Sequence, residues 1–290
     1  MPRRLAITGP YQVEVMEYDD LPLEPGQVRV CTELASGKHG TTAGMFDGRS
    51  FQGQEFNQDK RVFVESADAK PRVPSRETPW KSGTTGVGVI TEVGEGVTCW
   101  REGDRVFGLM DVRESNICRA TAIWELGNID PKEALCIEPA YVAFHAVRES
   151  QVRYGDSVAV IGLGVLGLLA VRMAVQAGAE TVLAVDPLEN RRQWAAEHGA
   201  DHVLDPRQGD AALEIHDLTG GKGVDVAIEL AGAYPALQTA IRSVRVAGMV
   251  CSAGFYQGDA CGVWLGREWH HNRLTKSQYD VAVQELESAL

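Results

Sequence analysis

The chain has 290 residues, 44 % of them hydrophobic, so it can bury one large core or two ordinary ones, which excludes general disorder. Its formal net charge of −12 excludes nucleic acid and anionic membranes as expected partners, because an acidic surface repels both. No apolar stretch is long and uncharged enough to span a membrane, and none of the six cysteines forms a C-x-x-C pair. We therefore expect a cytoplasmic protein whose cysteines are reduced.

The first half of the chain predicts a β-rich domain. The segments QVRVCTEL, GVGVITEVG and DRVFGLM alternate β-branched and polar residues and are bounded by glycine, proline or aspartate, as strands are. Between the first two lies SGKHGTTAG (residues 36–44), which we interpret as a tight loop. The polar stretch from Gly48 to Lys81 predicts an irregular, exposed excursion.

From about Asp156 the pattern changes to strands that alternate with helices. Strands are predicted at SVAVIGLG, TVLAVD, DHVLD, VDVAIELAG and GMVCSAGFY. Helices are predicted at VLGLLAVRMAVQAGA, PLENRRQWAAEHGA and PALQTAIRSVRVAG. This alternation predicts a doubly wound parallel sheet covered on both faces, so the fold class is α/β, with a β-rich domain before a Rossmann domain.

The stretch VIGLGVLG carries a G-x-G-x-x-G fingerprint at Gly162, Gly164 and Gly167, with Val165 and Leu166 between the last two. It follows an apolar strand and opens a helix, which is the context in which the pattern indicates a dinucleotide site. The first glycine permits the turn, the second lets a pyrophosphate approach, and the third lets helix and strand pack closely. The alternative is a doubly wound domain whose glycine turn holds no dinucleotide.

The second strand of the Rossmann pattern ends at Asp186, 19 residues past the last glycine. A carboxylate there can accept hydrogen bonds from the adenosine ribose hydroxyls and repels a 2′-phosphate, which favours NAD over NADP. Arg191 and Arg192, in the next helix, soften that preference. Ala231 and Gly254, at the ends of the two later strands, complete the predicted cofactor-binding residues.

Three segments carry a family resemblance: GEGVTCWREGDRV, IEPAYVAFHAV and LTGGKGVDVAIELAG. Together with the domain order they resemble the medium-chain dehydrogenase/reductase superfamily, the alcohol-dehydrogenase-like enzymes. The resemblance implies a GroES-like catalytic domain at 1–140, a Rossmann domain at 141–275, and a cofactor in the cleft between them. Residues 276–290 have helical spacing and predict a short C-terminal helix, so we expect the usual return to the first domain to be absent or shortened.

The resemblance also bears on metal binding. Zinc-dependent members hold a catalytic metal with two cysteines and a histidine, and those positions fall on His39, Thr84 and Val142 here. One imidazole, one hydroxyl and one alkyl group cannot hold Zn²⁺, and the four-cysteine cluster of the structural zinc is missing. The chain therefore resembles a metal-free member. The pattern S-x-x-x-G-T near residue 36 and the later FYQG…LGREWHHNRLT resemble zinc-free sequences grouped with bacteriochlorophyllide-type and natural-product sugar or cyclitol dehydrogenases.

Without a metal, hydrogen-bond donors must stabilise charge on the substrate oxygen and deliver the proton. By the resemblance, Thr41 aligns with the Ser or Thr that begins the proton relay in zinc-dependent members. His39 is either a proton carrier or a structural histidine in a turn. Lys38 is the alternative group that stabilises an oxyanion by its charge.

The predicted substrate cleft contains Thr42, Thr84, Thr85, Glu138 and Tyr141. Glu138 supports the site, as the E-P sequence does in relatives, whereas Tyr141 either lines the cleft or packs as plain core. We predict a zinc-independent, NAD(H)-dependent oxidoreductase that acts on an alcohol or ketone carbon of a small cyclic natural-product intermediate, and a homodimer. A quinone- or enone-type reductase and a non-catalytic dinucleotide-binding protein stay open as alternatives.

Overall fold

The computed structural model describes residues 1–47, 54–57, 59–65, 73–254, 256 and 263. For seven residues of these ranges the backbone alone is described, namely His39, Thr41, Gln54, Glu55, Phe56, Phe63 and Glu65. The chain divides into two compact units, Met1–Glu138 and Pro139–Leu290. The predicted helix at 276–290 and the segment EWHHNRLT lie outside the described residues.

The first unit is built mainly from strands, numbered in chain order. They are β1 (Arg3–Gly9), β2 (Gln12–Glu17), β3 (Gln27–Ser36), β4 (Gln54–Asn57), β5 (Val62–Glu65), β6 (Trp80–Lys81), β7 (Thr85–Val93), β8 (Arg105–Gly108), β9 (Ser115–Arg119) and β10 (Ile123–Glu125). Two short helices accompany them, α1 (His39–Phe46) and α2 (Pro131–Ala134).

A five-stranded antiparallel sheet with the strand order β10-β8-β7-β3-β9 forms the body of this unit. Its inward side chains include Val28, Val30, Ile90 and Val106, all at most 1 % exposed. β-Branched side chains suit such a surface because they pack well across a pleated sheet. The predicted strands are therefore confirmed. This unit also contains a separate three-stranded sheet with the order β2-β1-β6.

Two sequence predictions in this unit were wrong. The stretch from Gly48 to Lys81 is not wholly irregular, because β4 and β5 pair antiparallel within it and β6 ends it. SGKHGTTAG is not a loop throughout, because α1 begins at His39. The first helical bond runs from the Thr42 amide to the Lys38 carbonyl at 2.8 Å. Glycine and threonine are weak helix formers, so tertiary contacts decide here.

The second unit alternates strands with helices. The strands are β11 (Ser157–Ile161), β12 (Thr181–Val185), β13 (His202–Leu204), β14 (Val224–Glu229) and β15 (Val244–Ser252). The helices are α3 (Ile137–Glu149), which begins with the last two residues of the first unit, and α4 (Val165–Gln176), α5 (Glu189–Glu197), α6 (Ala211–Leu218) and α7 (Tyr234–Ser243).

The five strands form one parallel sheet with the order β13-β12-β11-β14-β15. Alternate residues of each strand pack on opposite faces, since Val158 and Val160 of β11 join one buried cluster and Ala159 and Ile161 join the other. Burial on both faces explains why these strands are continuously apolar. The predicted α/β class is confirmed.

The helices differ from the sequence prediction at several points. Helix α7 ends at Ser243, because the fully buried Val244 instead pairs with Val224 of β14. Pro187 precedes α5 rather than opening it. The sequence reasoning missed α6, a short helix whose start is marked by Asp210, which caps it by accepting hydrogen bonds from two backbone N–H groups. Within the described residues, no helix has the length and apolar composition needed to cross a bilayer.

Candidate functional site

The order of strands in the second unit reverses at β11, so this strand is the topological switch point of the sheet. Strands β12 and β13 lie to one side of β11, and β14 and β15 lie to the other. In a doubly wound sheet, ligands bind outside the carboxyl ends of the strands at such a reversal. Ile161 pairs with Glu229 there, so the loops that follow β11 and β14 start side by side.

The glycine fingerprint lies at this edge, and its three glycines meet different surroundings. A Cβ on Gly162, whose φ is +93°, would lie 2.6 Å from the Ala231 nitrogen, and a Cβ on Gly167 would lie 1.9 Å from the Gly162 oxygen. A Cβ on Gly164 would meet no described atom within 4 Å. The fold itself thus requires the first and third glycines, whereas the second borders open space where a pyrophosphate fits.

The start of helix α4 fits an anion as well. Gly164 is the N-cap residue, no side chain of the described chain caps the helix, and its first turn carries no acidic residue. Val165, the first helical residue, is 42 % exposed. The uncapped N–H groups and the positive end of the helix dipole therefore favour a phosphate here.

Asp186 follows β12 and is 3 % exposed. Its Oδ2 accepts a hydrogen bond from the Leu163 amide and its Oδ1 accepts one from the Leu188 amide, both at 2.8 Å. Arg191 Nη1 lies 3.4 Å from the same Oδ2. The carboxylate thus ties the glycine turn to the end of β12, a role that its position in the sequence does not reveal.

Glu229, which the sequence reasoning missed, organises the loop after β14. It is fully buried, and its Oε1 accepts hydrogen bonds from the Ala231 and Gly232 amides at 2.9 and 2.8 Å. Its Oε2 accepts one from the Tyr256 hydroxyl. Burial and this bond raise the pKa of the Tyr256 phenol well above its usual range. The sequence signal that could have identified Glu229 was a carboxylate at the end of an apolar strand.

Gly254, one of the predicted cofactor residues, packs against the same loop. A Cβ there would lie 2.5 Å from the Gly232 backbone and 2.6 Å from Glu229 Oε2. Only glycine allows this approach of two chain segments. The structure therefore brings Gly162, Gly164, Gly167, Ala231 and Gly254 to the carboxyl edge of one sheet. Whether they bind a cofactor stays a prediction.

In the first unit, an ion pair joins two of the predicted site residues. Lys38 Nζ donates to Glu138 Oε1 at 2.7 Å, and the two side chains are 21 % and 26 % exposed. The Lys38 amide donates to Thr84 Oγ1 at 3.2 Å. Lys38, Thr84 and Glu138 thus form one cluster, hereafter the Lys38–Glu138 cluster, although they are far apart in the sequence.

The neighbouring threonines hold this cluster in position. The Thr84 amide donates to the Ser36 carbonyl at 2.8 Å, and Thr85, 4 % exposed, pairs with Ser36 in the sheet. Thr42 follows one turn of α1 after Lys38. Glu138 Oε2 is buried and has no hydrogen-bond partner among the described atoms, so an acceptor remains available beside the lysine.

Three further predicted site residues, Tyr141, His39 and Thr41, lie in helices. Tyr141 belongs to the second unit, where it is 62 % exposed and its ring lies edge-on against His145, with 4.4 Å between ring centroids. His39 and Thr41 are in α1, and nothing is described of their side chains. Across the described residues, no group of three or more His, Cys, Asp or Glu side chains could hold a metal ion.

Comparison with known proteins agrees with this architecture. Residues 165–276 match the family described as zinc-binding dehydrogenase. D-guloside 3-dehydrogenase of Escherichia coli K12 is 36 % identical over 276 residues, which cover 93 % of this chain and 78 % of that protein. The structure of 2R,3R-butanediol dehydrogenase from Bacillus subtilis has a TM-score of 0.72 at 24 % identity, covering 95 % of this chain and 82 % of that one.

A zinc-binding dehydrogenase fold from Sinorhizobium meliloti 1021, solved with NADP, has a TM-score of 0.73 at 22 % identity, covering 94 % of this chain and 82 % of that one. A GroES-like unit followed by a Rossmann unit with its glycine turn defines a class of oxidoreductases. This chain belongs to the medium-chain dehydrogenase/reductase superfamily. It is an oxidoreductase of the kind that interconverts alcohols and ketones.

Proposed function

We propose that this protein is a metal-independent, NAD(H)-dependent dehydrogenase that interconverts an alcohol and a ketone on a small polyhydroxylated ring. The observation that carries the proposal is the contact between Lys38 Nζ and Glu138 Oε1. By the family resemblance, His39 and Thr84 occupy metal-ligand positions of zinc-dependent members, and Lys38 adjoins both. In this proposal the Lys38 ammonium group takes the part that a metal cation plays in those relatives.

The chemistry of the Lys38–Glu138 cluster suits a carbonyl oxygen. When a ketone is reduced, its oxygen gains negative charge in the transition state and then takes up a proton. Lys38 stabilises that charge, and Glu138 holds the ammonium group in place. In the oxidative direction, the same charge stabilises the alkoxide. The nicotinamide cofactor supplies or accepts the hydride when it is bound.

Two threonines complete the proposed proton path. The Thr84 hydroxyl accepts from the Lys38 amide and keeps its own O–H for donation to a substrate. Thr41, by the family resemblance, relays the proton between substrate and solvent. His39 is the alternative carrier, because imidazole titrates near neutral pH.

Binding of a dinucleotide is supported by the open space beside Gly164 and by the uncapped start of α4. NAD(H) is proposed before NADP(H) because a carboxylate, that of Asp186, follows the second strand of the sheet. The proposed substrate is a hexoside or cyclitol, since D-guloside 3-dehydrogenase is named for oxidation of a sugar derivative and is 36 % identical over most of this chain.

Steady-state assays on chelator-treated protein test the proposal. NAD and NADH would be offered with methyl hexosides, cyclitols, their keto derivatives, a simple secondary alcohol and a cyclic enone. Turnover of the ring alcohols or ketones supports the proposal. Turnover of the enone alone would instead indicate a C=C reductase. NADH binding without turnover of any of these would indicate a non-catalytic dinucleotide-binding protein.

A further inference from the structure

We infer that the first unit carries a binding site for a small monocarboxylate with an apolar body. The site is a cavity of about 420 Å³, and all the residues that line it belong to the first unit. The carboxylate group binds between Arg4 and Arg113. The inference does not depend on the function proposed above, because neither arginine belongs to the Lys38–Glu138 cluster or to the glycine turn.

Arg4 and Arg113 line the cavity from two backbone segments that pair through an isolated antiparallel bridge. The backbone hydrogen bonds on either side of the bridge, of 2.8 and 2.9 Å, make the two arginines a non-hydrogen-bonded pair, in which side chains approach most closely. Like charges directly opposite each other in such a pair are destabilising. An anion between the two guanidinium groups removes this repulsion, so the arrangement favours a negatively charged ligand.

The protein itself does little to neutralise these two charges. The Arg4 side chain makes no hydrogen bond or ion pair with any residue that the structure describes, and its Nε is buried without a partner. Arg113 Nη2 lies 3.8 Å from Asp20 Oδ1, an oxygen that contacts Arg29 Nη1 at 2.9 Å. Buried donors are normally satisfied in folded proteins. Both guanidinium groups therefore keep donors for an oxyanion, which matches their planar fork.

Tyr18 fixes the position of Arg113. The centre of the Arg113 guanidinium lies 3.9 Å from the centroid of the Tyr18 ring. The Tyr18 hydroxyl donates to the Ser115 carbonyl at 2.8 Å and accepts from the Ser115 amide at 3.0 Å, so the ring itself is held. A guanidinium stacked on a ring keeps its N–H donors in its own plane, where a ligand can reach them. The site is thus formed before a ligand arrives, which lowers the cost of binding.

The other lining residues select the kind of anion. Leu21, Pro22 and Ile117 supply an apolar wall, which suits a hydrocarbon body. Asp19 and Glu24 also line the cavity, and both are exposed. Their negative charges repel a doubly charged phosphate more strongly than a carboxylate that carries one charge. The lining therefore favours a monocarboxylate with an apolar body.

Calorimetric titration of the full chain with 4-methylpentanoate tests the inference without any turnover. The matched amide, 4-methylpentanamide, has the same shape and no charge, and inorganic phosphate is the oxyanion without an apolar body. We expect 4-methylpentanoate to bind with a Kd of about 1 mM or less, as a small ligand held by a few good contacts does. The other two probes should bind at least about tenfold more weakly.

Arg4→Met should raise the Kd for 4-methylpentanoate about tenfold or more, because methionine keeps the length of the side chain and removes the charged donors. It should not lower the unfolding temperature of the ligand-free protein, because Arg4 loses no side-chain partner among the described residues. Arg101→Met is the matched control, since it removes an arginine of the same unit that is 88 % exposed. It should leave the Kd unchanged.

Leu21→Asp is a second variant that keeps the core intact, because Leu21 is 66 % exposed. Its added negative charge at the cavity wall should also weaken binding of 4-methylpentanoate about tenfold. Absence of 4-methylpentanoate binding, or binding that neither Arg4→Met nor Leu21→Asp weakens, would overturn the inference. Phosphate that binds as tightly as 4-methylpentanoate, and that is lost in Arg4→Met, would overturn the assignment to a monocarboxylate.

Discussion

Lys38 Nζ donates to Glu138 Oε1 across 2.7 Å and joins residues one hundred positions apart in the chain. Because both side chains are mostly shielded from water, the charge of each is screened less than on an open surface. The Lys38 amide is held in addition by Thr84 Oγ1. This arrangement presents a positive charge at a defined place, which is what a developing alkoxide needs.

Replacing Lys38 by methionine should lower kcat about 10²–10³-fold, the usual loss when a group that stabilises an oxyanion is removed. The Kd for NADH should stay unchanged, because the glycine turn belongs to the other unit. The variant should also be less stable by about 1–3 kcal/mol, because Glu138 loses its partner. The double variant Lys38→Met/Glu138→Gln separates the two effects: it should regain stability but not turnover.

Gly164→Ala should abolish most dinucleotide binding while the fold stays intact. A Cβ at this position meets no described atom within 4 Å, so the ligand-free protein has room for it. The added methyl group would, however, occupy the space that a bound pyrophosphate needs. We expect the Kd for NADH to rise about tenfold or more, a loss of about 1.4 kcal/mol, with an unchanged unfolding temperature.

Gly209→Ala is the control for that experiment, since Gly209 is an exposed glycine of the same unit with equally open surroundings. It should change neither the Kd nor the unfolding temperature. Gly167→Ala should instead destabilise the protein, because its Cβ would lie 1.9 Å from the Gly162 oxygen. Normal NADH binding by Gly164→Ala would show that the ligand does not approach this turn.

Asp210 makes the stability of the second unit depend on pH. Its side chain accepts from Arg242 Nη2 at 2.7 Å and from backbone N–H groups at the start of α6, and the Arg242 bond holds its pKa below the ordinary value of 3.8. A lowered pKa in the folded state means that the stabilisation is complete above about pH 3.8. It is then lost as the pH falls toward the lower folded-state pKa.

Two variants of Asp210 separate its cap from its ion pair. Asp210→Asn keeps a good N-cap and loses the charge, so it should flatten the acid limb of a denaturation curve with a small loss at pH 7. Asp210→Ala also loses the cap and should cost about 1 kcal/mol more. Urea denaturation at several pH values measures both. An unchanged acid limb in Asp210→Asn would show that the pair with Arg242 contributes nothing.

Thr41→Val should lower turnover about 10²–10⁴-fold if the hydroxyl relays the proton, with the Kd for NADH almost unchanged. Valine keeps the shape of threonine and removes only the O–H. His39→Ala is the companion variant, and comparing the two identifies which residue carries the proton. Full turnover in both would place the proton path elsewhere.

The sequence predicted those parts of the fold that depend on local pattern. The run of apolar strands after Asp156 and the spacing of Gly162, Gly164 and Gly167 are local, so the parallel sheet and its glycine turn could be found. The boundary at Val244 was misjudged because IRSVRV also has apolar residues at helical spacing. Pairing with Val224, a tertiary contact, decides it in favour of a strand.

The site itself was only partly predictable. Lys38 and Glu138 were both candidate residues, but Lys38 follows β3 and Glu138 lies at the start of α3, and no local pattern encodes a contact between two such distant segments. Burial of Glu229, and of Asp186 between two backbone N–H groups, likewise depends on how the loops after the strands turn. A polar residue that ends an apolar strand indicates a site, but its partners come from the tertiary structure.

The most direct test of the central claim is the turnover of metal-free protein with a ring alcohol and NAD. Zinc would be measured by elemental analysis, and wild type would be compared with Lys38→Met before and after zinc is added. We predict full wild-type turnover with far less than stoichiometric zinc, no gain on adding zinc, and a loss of about 10²-fold or more in Lys38→Met. Turnover that requires about one zinc per chain, and that survives the loss of Lys38, would contradict the account.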